Sequence, residues 1–176
     1  MGTGSQRLQR DHQGLTEKLA TLQAEIGLYD DELHETDIHR VLETLEFINS
    51  YPQACHHPLE EAAMEYLRDQ GVELPPEFDH IHQQHQQLEQ FTAQLQQTFE
   101  AIFQDHVVPL HIIREQLRAY LDLQFEHMAL EDRELIPRLE QLSDEDWQQI
   151  RGRVTKKQEQ RLHWQRVGEA KATAGK

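Results

Sequence analysis

Ala54-Cys55-His56-His57-Pro58-Leu59-Glu60-Glu61 sets a His and a Glu four residues apart twice over, as His56 with Glu60 and His57 with Glu61. Read as the opening of a helix, either pair stacks on one face and points an imidazole nitrogen and a carboxylate oxygen the same way. Pro58 is tolerated in such a first turn. A comparable pair, His127 with Glu131, stands in Glu126-His127-Met128-Ala129-Leu130-Glu131-Asp132. Two His/carboxylate pairs on two helices point to a metal site, provided the fold brings the helices together.

Apolar spacing supplies those helices. Leu8, His12, Leu15, Leu19, Leu22 and Ile26 form the seam of an amphipathic helix A over about 5–26, with His12 where Leu is expected. Gly27 marks its end. Helix B turns Ile38, Val41, Leu42, Leu45 and Ile48 inward until Pro52 disturbs it. A second segment starts near His56 and runs through Ala63, Met64 and Leu67 to Gly71. Pro75-Pro76 open helix C, whose seam is Phe78, Ile81, His85, Leu88, Leu95, Phe99 and Ile102. Helix D begins near Pro109 and uses Ile113, Leu117, Tyr120, Gln124, His127, Glu131 and Leu135, with Pro137 bending its last turns. Ser143-Asp144-Glu145-Asp146 resembles a capping box for a short fifth helix through Trp147 and Ile150.

Four long helices with short connections predict an all-α, up-down-up-down four-helix bundle over residues 1–157, followed by a polar tail over 158–176. Counting back from the turns, His85 comes level with Glu60 and His127. His12, Glu60, His85 and Glu131 all fall roughly eight to twelve residues from one end of the bundle. Inward polar groups meeting at one depth are costly unless something binds them, and a metal ion is such a partner.

Leu8-Gln9-Arg10-Asp11-His12, Tyr51-Pro52 leading to His56-His57-Pro58-Leu59-Glu60, His85, and His127-Met128-Ala129-Leu130-Glu131 resemble the hemerythrin-like (HHE cation-binding) family. Glu134-Leu135-Ile136-Pro137 and Asp146-Trp147 fit its later pattern, and the similarity covers about 5–150. The resemblance implies a non-haem di-iron centre bridged by an oxygen species and two carboxylates. On that pattern His12, His56, His85 and His127 are terminal nitrogen ligands, and Glu60 and Glu131 are the bridging carboxylates. Two departures stand out. The oxygen carriers of the family have a second His four before the helix C ligand, where this chain has Ile81. They also place the helix D carboxylate five after its His, where this chain has Asp132. A set of four His and two Glu resembles bacterial members linked to nitric-oxide stress and iron–sulfur repair. It leaves open positions suited to reactivity or sensing.

Several residues stay open at this stage. His57/Glu61 is the alternative register to His56/Glu60, and His82 lies one turn before His85. Tyr120 and Gln124 orient ligands or form a polar patch of core. Cys55 is a filler or a redox switch, and Gln83-Gln84 and Gln86-Gln87 read as solvated helix face. His34, His39, His80, His106, His111 and His163 read as surface or capping residues.

Composition narrows the function classes. With 17 basic and 32 acidic side chains the net charge is −15, which repels phosphate backbones and anionic headgroups, so neither nucleic acid nor membrane is an expected partner. One cysteine allows no internal disulfide, no apolar run follows the N-terminus as in a signal peptide, and no window approaches a membrane span. A soluble, cytoplasmic monomer or homodimer is expected. Glu-x-x-His occurs once, at Glu77-Phe78-Asp79-His80, which excludes a ferritin-like site. Manganese or zinc could replace iron. The expected small-molecule ligand is dioxygen, peroxide or nitric oxide, for sensing, storage or detoxification. A di-iron oxidase, peroxidase or nitric-oxide-stress enzyme is the alternative, and a metal-stabilised binding module is another.

Overall fold

A computed structural model describes residues 4–27 and 36–155. Among these the chain is helical, with no strand. Helix α1 (Gly4–Ile26) buries the expected row of Leu8, His12, Leu15, Leu19, Leu22 and Ile26, and Gly27 ends it at a φ of 58°, the left-handed conformation glycine adopts freely. Helix α2 (Ile38–Tyr51) starts at Asp37, whose side chain accepts a hydrogen bond from the Arg40 amide at 3.1 Å. That contact satisfies one of the amides left over in a first turn.

Pro52 does not break the rod. The helix widens into a π-turn over Pro52–His56 and continues as α3 (His57–Asp69), with the His57 amide donating five residues back to the Pro52 carbonyl. A 3₁₀ turn over Pro76–His80 precedes α4 (Ile81–Phe103), so the regular helix starts later than its two prolines suggest. Helix α5 (Leu110–Leu130) passes through a second π-turn, Glu131–Leu135, into α6 (Ile136–Leu139). The widened turn lies just ahead of Pro137, which has no amide to continue an α-helical ladder. A last helix, α7, covers 144–155. It opens on the expected capping box: Asp146 N donates to Ser143 Oγ at 3.2 Å and Ser143 N to Asp146 Oδ2 at 2.8 Å.

Helix α1 packs against α2 and α5, and α4 packs against the same two, closing a ring of four. Two apolar clusters fill it. One gathers Leu15, Leu19, Leu45, Leu95 and Leu117; the other gathers Leu8, Ala63, Leu67, Leu135 and Trp147. His12, His56, His57, Glu60, His85, His127 and Glu131 belong to neither cluster, yet all are buried. No described helix is long and apolar enough to cross a membrane. The tail expected over 158–176, with His34 and His163, lies outside the described residues.

Candidate metal centre

The buried polar residues fall into two groups that share their carboxylates. One ligand atom each from His12, His56, Glu60 and Glu131 lie within 4.8 Å of one another, and so do atoms of Glu60, His85, His127 and Glu131. His57 joins His85 and His127 in a third such set. Glu60 spans the groups. Its Oε1 lies 2.8 Å from His56 Nε2 and 3.5 Å from His12 Nε2, while Oε2 lies 3.7 Å from His85 Nε2. Glu131 does the same through Oε2, 3.4 Å from His12 Nε2 and 3.3 Å from His127 Nε2.

The first π-turn explains why both His56 and His57 arrive there. Neighbours on an α-helix point about 100° apart and cannot both face one centre. The extra residue in a widened turn shifts the helical register, so His56 meets His12 at a ring-centroid distance of 5.0 Å while His57 stacks on His85. The two registers weighed from sequence are therefore both present for the imidazoles but not for the carboxylates. Glu60 faces the centre, whereas Glu61 turns aside and stands 3.1 Å behind His85 Nδ1.

Four of the five imidazoles are held from behind in this way. His12 Nδ1 lies 2.7 Å from Asp132 Oδ1 and His56 Nδ1 lies 3.3 Å from Asp11 Oδ2, with the Tyr51 hydroxyl donating to the same Asp11 carboxylate at 2.9 Å. His127 Nδ1 is 3.3 Å from Gln84 Oε1, so Gln84 is not merely solvated helix face. Such outer partners fix the ring and aim its other nitrogen inward. His57 has none.

Electrostatics follow from this packing. Burial pulls the His12 imidazole down, but contacts with Glu131 and Glu60 outweigh it and lift its pKa to about 11. His56 is likewise lowered by burial yet raised to about 9 by Glu60 and Asp11. Burial, then the neighbouring His85, holds His57 well below the ordinary range, and burial lowers His127. Burial pushes the Glu60 carboxyl up, but His56 and His12 bring it well below the usual carboxylate value.

The donors fit a cation. Nε2 of His12, His85 and His127, Nδ1 of His57, Oε2 of Glu60 and both oxygens of Glu131 are buried with no hydrogen-bond partner. So many orphaned atoms in one place would cost several kcal/mol at about 1–3 kcal/mol each, and all are lone-pair donors once deprotonated. Mixed imidazole and carboxylate donors suit first-row divalent metals.

All six residues expected as ligands, His12, His56, Glu60, His85, His127 and Glu131, thus converge. His82 does not face the centre; its side chain is 59% exposed and binds Glu61 at 2.9 Å. His39, His80, His106 and His111 are exposed, as expected, and Cys55 is half-buried in the π-turn. Sequence spacing missed the supporting roles of Asp11, Glu61, Gln84 and Asp132, although Asp11 and Glu61 are the chain neighbours of His12 and Glu60. Comparison with known families matches residues 3–146 to the hemerythrin HHE cation binding domain. No curated protein and no solved structure matches the chain.

Proposed function

The chain belongs to the hemerythrin HHE cation-binding family, and from that premise we propose that its buried centre holds two iron ions and binds dioxygen or a related small oxidant, peroxide or nitric oxide. The observation that carries this reading is the pair of donor groups sharing Glu60 and Glu131. His12 and His56 would hold one ion, His57, His85 and His127 the other, and the two carboxylates would serve both. The ring of contacts among α1, α2, α4 and α5 supports an up-down-up-down bundle as the scaffold.

Iron held there supplies Lewis acidity and redox electrons to a bound small molecule. The chain supplies the surroundings. Beside His57 lies a void of about 10 Å³ lined by Ile48, Leu88, Thr92, Tyr120 and Gln124 among others, room for one water-sized molecule. The Tyr120 hydroxyl donates to Gln124 Oε1 at 3.4 Å, a long contact that leaves the donor under-used. Burial pushes the Tyr120 pKa above its ordinary value, so the phenol keeps its proton. The void's size admits only a small ligand, and its lining sets Ile48, Pro52 and Leu88 beside the polar groups of Gln53, Thr92, Tyr120 and Gln124.

Metal analysis of freshly purified protein, paired with absorption spectra taken anaerobically and after exposure to dioxygen, peroxide or nitric oxide, tests the reading. It expects two irons per chain and charge-transfer bands that change with the oxidant. Iron-loaded protein whose spectrum ignores all three would remove it. Sustained consumption of peroxide or nitric oxide beyond that of free iron would mark turnover at the same site.

A further inference from the structure

Each of the seven donors exposes 5% of its surface or less, so an ion needs a path inward. A surface cleft of about 320 Å³ reaches two of them, His57 and His85, between walls that include Glu61, His82, Gln86 and Glu89. We propose that this cleft is the loading port of the centre, where a hydrated divalent first-row cation is first held by His82, Glu61 and Glu89 and then passed to His57 and His85. The proposal rests on the two-ion reading above.

One carboxylate oxygen joins the outside to the inside. Glu61 Oε1 lies 2.9 Å from Nδ1 of the exposed His82 and 3.1 Å from Nδ1 of the buried His85. The Gln86 side-chain nitrogen donates to His82 Nε2 at 3.2 Å, which marks that nitrogen as the one presenting a lone pair. An arriving ion can replace this exposed amide at little cost. Imidazole and carboxylate together suit the same metals as the centre itself.

His57 makes the handover possible. It is the one imidazole of the centre with no outer partner, and its buried Nδ1 has no hydrogen-bond partner at all. It lines both the cleft and the inner void, so a turn of this ring breaks no polar contact. The other four imidazoles are held by Asp132, Asp11, Glu61 and Gln84 and would each lose one.

Charge and size agree. Among the described residues lining the cleft none is Lys or Arg, while Glu61 and Glu89 are both acidic. A cleft walled by one sign of charge concentrates the opposite ion and speeds its association. Six waters of hydration occupy roughly 180 Å³ at about 30 Å³ each, which the cleft accommodates.

The test is the rate at which full-length, metal-free protein takes up Fe²⁺ anaerobically, or Co²⁺ as a spectroscopic probe, followed by stopped-flow absorption. The double variant His82→Ala/Glu89→Gln should load about tenfold more slowly, yet reach wild-type stoichiometry and the wild-type final spectrum. Added salt should slow the wild type more than the variant. Loading at the wild-type rate would overturn the port, as would slow loading that ends with less metal bound, since that would make His82 or Glu89 a resident ligand. Wild-type protein that takes up neither ion would instead overturn the two-ion centre, and the port with it.

Discussion

The imidazole of His57 lies flat on that of His85, with ring centroids 3.9 Å apart and planes within 4°. Two charged imidazoles would repel at that distance, and burial keeps His57 neutral with its lone pair available. His57→Ala should therefore empty the half of the centre served by His85 and His127 while the half served by His12 and His56 keeps its ion. Metal analysis should give close to one ion per chain in place of two. A variant that still holds two would show that His57 is not a ligand.

The partners behind the imidazoles are expected to tune affinity. Asp132 accepts from His12 Nδ1 at 2.7 Å although its own side chain is 54% exposed. Asp132→Asn keeps the size but loses the charge that holds the ring, and should weaken metal binding about 10- to 100-fold. Chelator competition measures the change, with an exposed carboxylate such as Glu126, changed to Gln, as the unaffected control.

Without metal, stability should peak near pH 6.5, the ordinary histidine value. His57 and His127 have lowered pKa values in the folded protein, so below pH 6.5 protons bind the unfolded chain more readily and stability falls. His12 and His56 are raised to about 11 and about 9. Their contribution is complete below pH 6.5 and is lost as pH rises through those values. Thermal melts of metal-free protein between pH 5 and 10 should trace this dome. Metal displaces the protons on His12 and His56, so the loaded protein should lose the alkaline slope and uptake at pH 7.5 should release protons. A flat profile for the metal-free form would contradict these assignments.

Removing the metal should leave the fold weaker throughout. The orphaned donors of Glu60, Glu131 and the imidazoles then face one another with nothing between them. At free metal about a thousandfold above its dissociation constant, linkage stabilises the folded state by about 4 kcal/mol. Chelation should lower the melting temperature accordingly, and re-addition of metal should restore it.

Two glycines of α1 should respond in opposite directions. A Cβ at Gly4 would run into the ring of Trp147, which is only 2% exposed, so Gly4→Ala should cost about 1–3 kcal/mol. At Gly14 the same carbon meets nothing within 4 Å, and replacing a mid-helix glycine with alanine should stabilise by about 0.5–1 kcal/mol. Denaturant titration of the two variants compares them directly.

Helical periodicity made much of this legible in advance. Leu8, Leu15, Leu19, Leu22 and Ile26 on α1, and Ile113, Leu117 and Tyr120 on α5, are buried as their spacing requires. The polar interruptions His12, His127 and Glu131 of those rows, and His85 in the row of α4, marked the centre, because a polar side chain in an apolar seam needs a partner. At Pro52 and Pro137 the sequence marked a disturbance but not its form, which is a π-turn at or next to each proline. A proline signals that a helix must give way, but not whether it breaks or widens, since the missing amide is a local fact and the packing around it is not. Spacing also missed Asp132 and Gln84, which meet His12 and His127 only across the bundle.

The order of residues along the chain determined which side chains lie inward and at what depth, since 3.6 residues per turn and 1.5 Å per residue are local properties of the backbone. Only the packed bundle decided that the rod widens at Pro52–His56, that His57 turns in beside His56, and that Glu61 faces His85 and the cleft. A π-turn gives up regular hydrogen-bond geometry within its own helix, and across the bundle its last residue, His56, meets Asp11 and His12 of α1 while the next, His57, stacks on His85 of α4.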